Sequence, residues 1–161
     1  MEFKTGDWVV HCVHGLGQVQ ALEERVMDKR SVLYYAVQLA DLTIWVPANE
    51  DGKNRLRRPT DETGFQELLA TLAKPAEPLP ADRRQRSLQL LDLMKDGSSE
   101  SLCRVVRDLR AYRQTRTWNE YDHELLRRAQ KLLVGEWSFI RSLSLVEAEA
   151  ELNGSLAPRM G

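Results

Sequence analysis

Two different rhythms of apolar and polar residues run along this chain. From residue 7 to about residue 58 the apolar positions come in short runs or alternate, with "DWVVHCV", "GQVQALEE", "SVLYYAVQL" and "LTIWVP" in order. These runs are rich in β-branched and aromatic residues, the signature of half-buried strands. Turn-forming residues separate them, at His14-Gly15-Leu16-Gly17, at Asp28-Lys29-Arg30 and at Ala40-Asp41. Gly15 and Gly17 are expected to flank a tight hairpin, where a positive φ costs least for glycine.

Five short strands in about 55 residues predict a small, strongly bent β-barrel of the SH3 or Tudor type. From Thr60 onward the period becomes helical. "TDETGFQELLATLAK" reads as a first helix with Thr60 as its N-cap. Pro75, Pro78 and Pro80 interrupt the chain. A second helix follows through "DRRQRSLQLLDLMKDG" and stops at Gly97. Ser98 or Ser99 caps a third, "SESLCRVVRDLRAYRQ". The longest runs from about Asn119 to Leu143, and "SLVEAEAEL" makes a short last one. The expected chain is therefore α+β and two-module. Residues 1–59 form the barrel, residues 60–153 a compact all-α domain of about five helices, and residues 154–161 a flexible tail.

At 100° per residue, Tyr121, Leu125, Leu126, Ala129, Leu132, Leu133, Trp137 and Ile140 fall on one stripe of the long helix. Glu136 falls inside it. A carboxylate buried alone costs several kcal/mol, roughly, so it needs a partner. An ion pair with Arg104 or Arg107 of the preceding helix is the expectation.

Composition narrows the function. Of 161 residues, 42% are hydrophobic and 29% charged, with a net charge of −1. That balance exerts no global pull toward nucleic acid or membrane, so any basic surface must be local. No apolar run approaches the roughly 20 residues that span a bilayer. "MEFKTGDWV" lacks a signal-peptide pattern, so a cytoplasmic protein is expected. Cys12 and Cys103, the two cysteines, read as reduced thiols.

The stretch "WVVHCVHGLGQV" raises the question of a metal or a nucleophile. On a strand His11 and Cys12 point to opposite faces and cannot share an ion. Cys12 sits among apolar residues, where a thiol is inert. "GLG" is too short for a dinucleotide fingerprint, and no phosphate loop of the "GxxxxGK" kind is present. The expectation is a non-enzymatic protein with no cofactor, metal or small-molecule substrate.

Two binding features remain. In "LTIWVP", Pro47 cannot donate to a ladder, so its strand lies at a sheet edge or ends there. An edge strand with an exposed aromatic invites a foreign strand, whereas Trp45 turned inward would be core; the sequence leaves both open. The second feature is the segment from Pro80 to Arg116, with nine Lys or Arg and five Asp or Glu. Arg83, Arg84 and Arg86 cluster at a helix start, where cations oppose the helix dipole at roughly a few tenths of a kcal/mol. Phosphate contact gives such a cluster a use; an ordinary solvated face is the alternative.

Together "FKTGDWVVHCVHGLGQV", "LTIWVP", "VVRDL" and "LLRRAQKLLVGE" resemble the CarD/CdnL family of bacterial transcription regulators, over about residues 3 to 152. The N-terminal half also resembles the polymerase-interacting domain of transcription-repair coupling factor. The resemblance implies a Tudor-like barrel that binds the RNA polymerase β subunit through an edge strand. The matching positions are Arg25, Thr43, Ile44, Trp45, Val46 and Pro47. It implies a helical domain that contacts promoter DNA at the upstream edge of the bubble and modulates open-complex stability. Arg83, Arg84, Arg86 and His123 are the positions expected to meet phosphate. The sequence departs from the family at four points, one being the proline-rich approach "KPAEPLP". Trp45 stands where a basic residue is common, and Cys12 where proline is usual. The tryptophan that wedges into the minor groove near the second helix is missing from "LPADRRQR", and Trp118 is not its equivalent. An adaptor that docks on a protein through the same strand module without touching DNA is the alternative.

Overall fold

The computed structural model describes residues 2–49, 55–116 and 119–156. The chain divides into two compact units, Met1–Pro59 and Thr60–Gly161. The first holds strands β1 (Trp8–His11), β2 (Gly15–Met27), β3 (Arg30–Gln38), β4 (Thr43–Pro47) and β5 (Leu56–Arg57). All are antiparallel, in the spatial order β4-β3-β2-β1-β5.

That order corrects the barrel expectation. The sheet is open, with β4 and β5 as its two edges. Closing a sheet requires a continuous ladder between its first and last strands. Here β5 is two residues long and spends its pairing on β1, Val10 opposite Arg57 and His11 opposite Leu56. The sheet is still bent, because the register slips between Val19 and Ala21, leaving Gln20 as an extra residue.

One face carries the core of this unit. Val9, Val19 and Val37 are fully buried there with Phe3, Tyr35 and Leu39. The Phe3 and Tyr35 rings meet edge to face at 5.6 Å, and the Phe3 N–H donates to the Tyr35 hydroxyl at 3.2 Å. Gly17 lies opposite Val9 on this face. A Cβ added to it would stand 2.7 Å from Val37 Cγ1 and 2.9 Å from the Gln38 carbonyl oxygen. Gly17 is thus a close-packing position rather than a turn glycine. The turn itself is Cys12–His14, followed by Gly15 at φ 83°. The long β2–β3 ribbon ends in a two-residue loop, Asp28 and Lys29, at φ 49° and 65°. Two consecutive left-handed residues match the right-handed twist of the strands they join.

The second unit packs α1 (Glu62–Ala73), α2 (Arg83–Asp96), α3 (Ser99–Thr115), α4 (Glu120–Arg141) and α5 (Leu145–Ser155). Helix α3 is central, touching α1, α2 and α4, while α5 lies against α4 and α1. Each helix starts on a side-chain cap: Asp61, Asp82, Ser98, Asn119 and Ser144. Gly97 ends α2 at φ 69°. The last helix runs to Ser155, further than its apolar pattern indicated; residues 157–161 of the expected tail, and Trp118, lie outside the described residues.

Thr60 is not the cap of α1; Asp61 is. Thr60 instead donates its N–H and hydroxyl to Oε2 of Glu136, at 2.8 and 2.7 Å. Glu136 is 1% exposed. The two arginines expected opposite it have partners of their own. Arg107 donates to Asp108 Oδ1 at 2.8 Å and to the Thr71 carbonyl at 3.0 Å, and Arg104 lies 3.7 Å from Glu77. On the α4 stripe, Leu125, Leu126, Ala129, Leu133 and Trp137 are buried, and Leu132 and Ile140 pack at the core's margin. Tyr121 remains half exposed, because the first turn of α4 points Asp122 inward instead.

Replacing Gly17 with alanine is expected to destabilise the strand unit by about 1–3 kcal/mol, since backbone and core side chains must shift to admit the methyl group. Urea unfolding of Gly17→Ala against wild type measures it, with Gly154→Ala, an unhindered helix position that should not lose stability, as the control.

Candidate functional site

Strand β4 is an edge of the sheet, with no further strand paired to it among the described residues, and its phase decides what that edge offers. The Leu39 N–H donates to the Leu42 carbonyl and the Ala48 N–H to the Leu33 carbonyl. In an antiparallel ladder bonded and non-bonded pairs alternate, so Ile44 and Val46 turn their backbone groups toward β3. Thr43 and Trp45 turn theirs outward. Pro47 shares the outward phase, so its missing N–H removes nothing from the ladder. The sequence therefore places proline where the sheet does not need a donor.

The side chains sort by face. Val46 is buried, 2% exposed, and Ile44 packs at the edge of the core. Trp45 is on the opposite face with 44% of its surface exposed. Its indole N–H donates to Glu23 Oε2 at 2.8 Å. The Arg25 guanidinium lies over the indole, 4.9 Å from the ring centroid, and 3.6 Å from the same Glu23 carboxylate. Arg25 and Trp45, twenty residues apart, thus form one cluster whose geometry Glu23 sets. Glu23 was not singled out by its sequence context. The only signal for it was its alternation in phase with Arg25 on β2.

The "HCVH" stretch is a folding device. His11 is buried, and its Nδ1 accepts the N–H groups of Val13 and His14 at 3.0 and 3.2 Å. An acceptor nitrogen must be unprotonated. Burial, with His14 and Arg55 adding repulsion, lowers the His11 pKa from 6.5 to about 4. Among the described residues no three His, Cys, Asp or Glu side chains gather as a metal site would need. Cys103 is buried, and burial first, with Glu136 and Glu100 adding to it, pushes its thiol up to about 12. Such a thiol supplies no thiolate at neutral pH.

The arginine cluster at the start of α2 divides. Arg83 and Arg84 are exposed. Arg86 is 3% exposed and is withdrawn from any phosphate-binding surface. Its Nε and Nη2 grip both oxygens of Asp122 at 3.2 and 2.9 Å. Its Nη1 donates to the Pro80 and Ala81 carbonyls and the Tyr112 hydroxyl, at 3.2, 3.2 and 3.0 Å. The Asp122 hydrogen bond holds the guanidinium more firmly protonated than usual, against the opposing effect of burial. Asp122, fully buried, also takes part in the capping box of α4 with Asn119. His123, the next residue, is exposed at the same helix start. Nothing in the local sequence separates Arg86 from Arg83 and Arg84. The helical spacing does, because Arg86 shares the inward face with Leu90 and Met94.

The strand unit is thus an open sheet with an aromatic at one edge, and the helical unit a set of capped helices with exposed cations. Residues 3–60 match the family model described as "CarD-like/TRCF RID domain", and residues 67–153 match "CarD, C-terminal domain". The chain belongs to the CarD-like family. It is also similar to a Bacillus subtilis (strain 168) protein named "Putative transcription factor YdeB", with 23% identity over 144 residues, 88% of this chain and 94% of that one. No helix among the described residues is long and apolar enough to cross a membrane.

Two measurements test this geometry. His11 should titrate near pH 4 by NMR. Its folded pKa lies below its unfolded one, so its contribution to stability is complete above about 6.5 and is lost as pH falls toward 4. His11→Asn, which keeps an acceptor but does not titrate, should flatten that loss. Separately, Asp122→Ala strands a buried guanidinium and should cost about 3–5 kcal/mol in a denaturant titration followed by helical circular dichroism, whereas Arg83→Ala should stay within about 0.5 kcal/mol.

Proposed function

We propose that this protein is a non-enzymatic bacterial transcription regulator that docks on the RNA polymerase β subunit through β4 of its strand unit. The reading is carried by one observation: the outward backbone groups of Thr43 and Trp45 border an indole already held in place by Glu23 and Arg25. A foreign strand would pair with the free edge, and Trp45 and Arg25 would supply contact on one face. Membership of the CarD-like family makes the polymerase β subunit the expected partner. Trp45, where relatives commonly carry a cation, makes this contact more apolar. Arg25 over the ring returns a positive charge to nearly the same place.

The helical unit would meet the promoter backbone near the upstream edge of the bubble through Arg83, Arg84 and His123. Such contacts add affinity without base choice. Once polymerase is bound, the DNA contact is effectively intramolecular, so a weak interaction suffices to bias the open complex. Arg86 plays no part in it; it holds the helices that carry the others.

A second reading, an adaptor on polymerase that leaves DNA alone, is favoured by two features. Arg86 is buried, which reduces the cationic cluster, and the segment "LPADRRQR" carries no aromatic wedge. Salt separates the two. Each phosphate contact contributes about −0.9 to the slope of log affinity against log salt. If DNA is touched, Arg83→Ala with Arg84→Ala should flatten that slope by about 2 for the polymerase–promoter complex; an unchanged slope selects the adaptor. For docking itself, Arg25→Ala with Trp45→Ala should weaken capture of the purified β subunit by about 30-fold or more, as loss of a central aromatic and arginine does at other interfaces. Unchanged capture rejects the assigned surface.

A further inference from the structure

A groove of about 470 Å³ lies on the helical unit between the end of α3, the outer side of α4 and the start of α5. Neither the strand edge nor the cations at the start of α2 belong to it. Its floor is aliphatic, formed by Leu126 and Val134, both nearly buried. Its rim carries Leu145 and Val146, which are 60% and 79% exposed. They are the first two residues of α5, and their exposure does nothing for the core of their own unit. Flanking this apolar strip are Arg113 from the last turn of α3 and Lys131 and Arg127 from α4. Glu149 is the one carboxylate in the lining, and it is tethered. Gln130 Nε2 donates to it at 3.1 Å, and Arg110 Nη2 donates to Gln130 at 2.9 Å, so a single relay joins α3, α4 and α5 behind the groove.

Three cations stand around the aliphatic side chains, Arg127 already shared with Glu124, and the combination favours a ligand that is both anionic and greasy. We infer that the groove is a docking site for an acidic amphipathic helix of a partner protein, one with aliphatic residues along a single face and Asp or Glu beside them. Leu145 and Val146 stand exposed at the rim rather than enclosing a cavity, which suits a helix laid against them better than an enclosed small molecule. The two leucine- and valine-sized rim positions and the floor would take the i, i+3 and i+4 anchors. The cations would meet the flanking carboxylates. The DNA backbone offers charge without aliphatic surface and would leave Leu145 and Val146 unused, so duplex is the poorer match.

The groove shares its lining residue His123 with the proposed promoter contact, but its test needs neither polymerase nor promoter. The probe is a fluorescein-labelled acidic peptide of about four helical turns, with leucines at i, i+3, i+4 and i+7, against the full chain in fluorescence anisotropy. Saturable micromolar binding is expected, at least about ten-fold tighter than that of a shuffled peptide of the same composition. Val146→Glu and Lys131→Glu change exposed side chains, so the fold should be retained, as helical circular dichroism would verify. Each should weaken binding by about ten-fold or more. Equal binding of the shuffled peptide, or wild-type affinity in Val146→Glu, would overturn the assignment. So would a short DNA duplex or anionic vesicles binding this face in a manner that Val146→Glu leaves intact while the peptide fails to bind.

Discussion

The pairing of Arg86 with Asp122 is the constraint around which the helical unit is arranged. A guanidinium and a carboxylate removed from water are tolerable only when nearly every donor and acceptor is matched. Here the match draws on four places at once. Arg86 comes from the first turn of α2 and Asp122 from the first turn of α4. Tyr112 comes from the last turn of α3, and the carbonyls of Pro80 and Ala81 from the connection into α2. Satisfying one cation therefore brings three helix ends together. It also explains why the proline-rich approach to α2 has a defined path, since two of its carbonyls are ligands of the buried charge.

The proposed phosphate contact would inherit this arrangement. Arg83, Arg84 and His123 are exposed, and the Arg86–Asp122 pair joins the two helix starts that carry them. The same economy operates at the first residue of the helical unit. Thr60 leaves the cap of α1 to Asp61 and turns both its donors to Glu136. In the strand unit the polar feature is local. His11 accepts two N–H groups of its own turn, and this neutral imidazole shapes the hairpin beside β5. His11 and Arg86 looked like candidates for chemistry or binding, and both are consumed by structure. The outer edge of β4 and the side chains of Arg83 and Arg84 remain at the surface.

Much of the candidate docking surface was legible before any coordinates. Pro47 marked an edge strand, because a missing donor is tolerated only where the ladder does not need it. Whether Trp45 faced solvent or core was not legible. That depended on which face Val37 and Val46 would fill, a choice made by β3 and by the bulge in β2. The role of Arg86 was illegible for a similar reason. Three arginines in four residues look alike in composition; spacing puts Arg86 on the face of Leu90 and Met94, but its partner Asp122 lies thirty-six residues on.

The sequence by itself determined the order of strands and helices, the stop at Gly97 and the family to which the chain belongs, while it set the cap of α1 one residue early and ended α5 short. Those properties rest on short-range chemistry: a side-chain oxygen reaching an N–H three residues away, a glycine accepting positive φ, a proline lacking a donor. The tertiary structure alone decided that the sheet stays open and which charges disappear into the interior. A closing ladder or a buried ion pair depends on groups far apart in sequence. Its energy is set by the water excluded when they meet, and no local pattern records that.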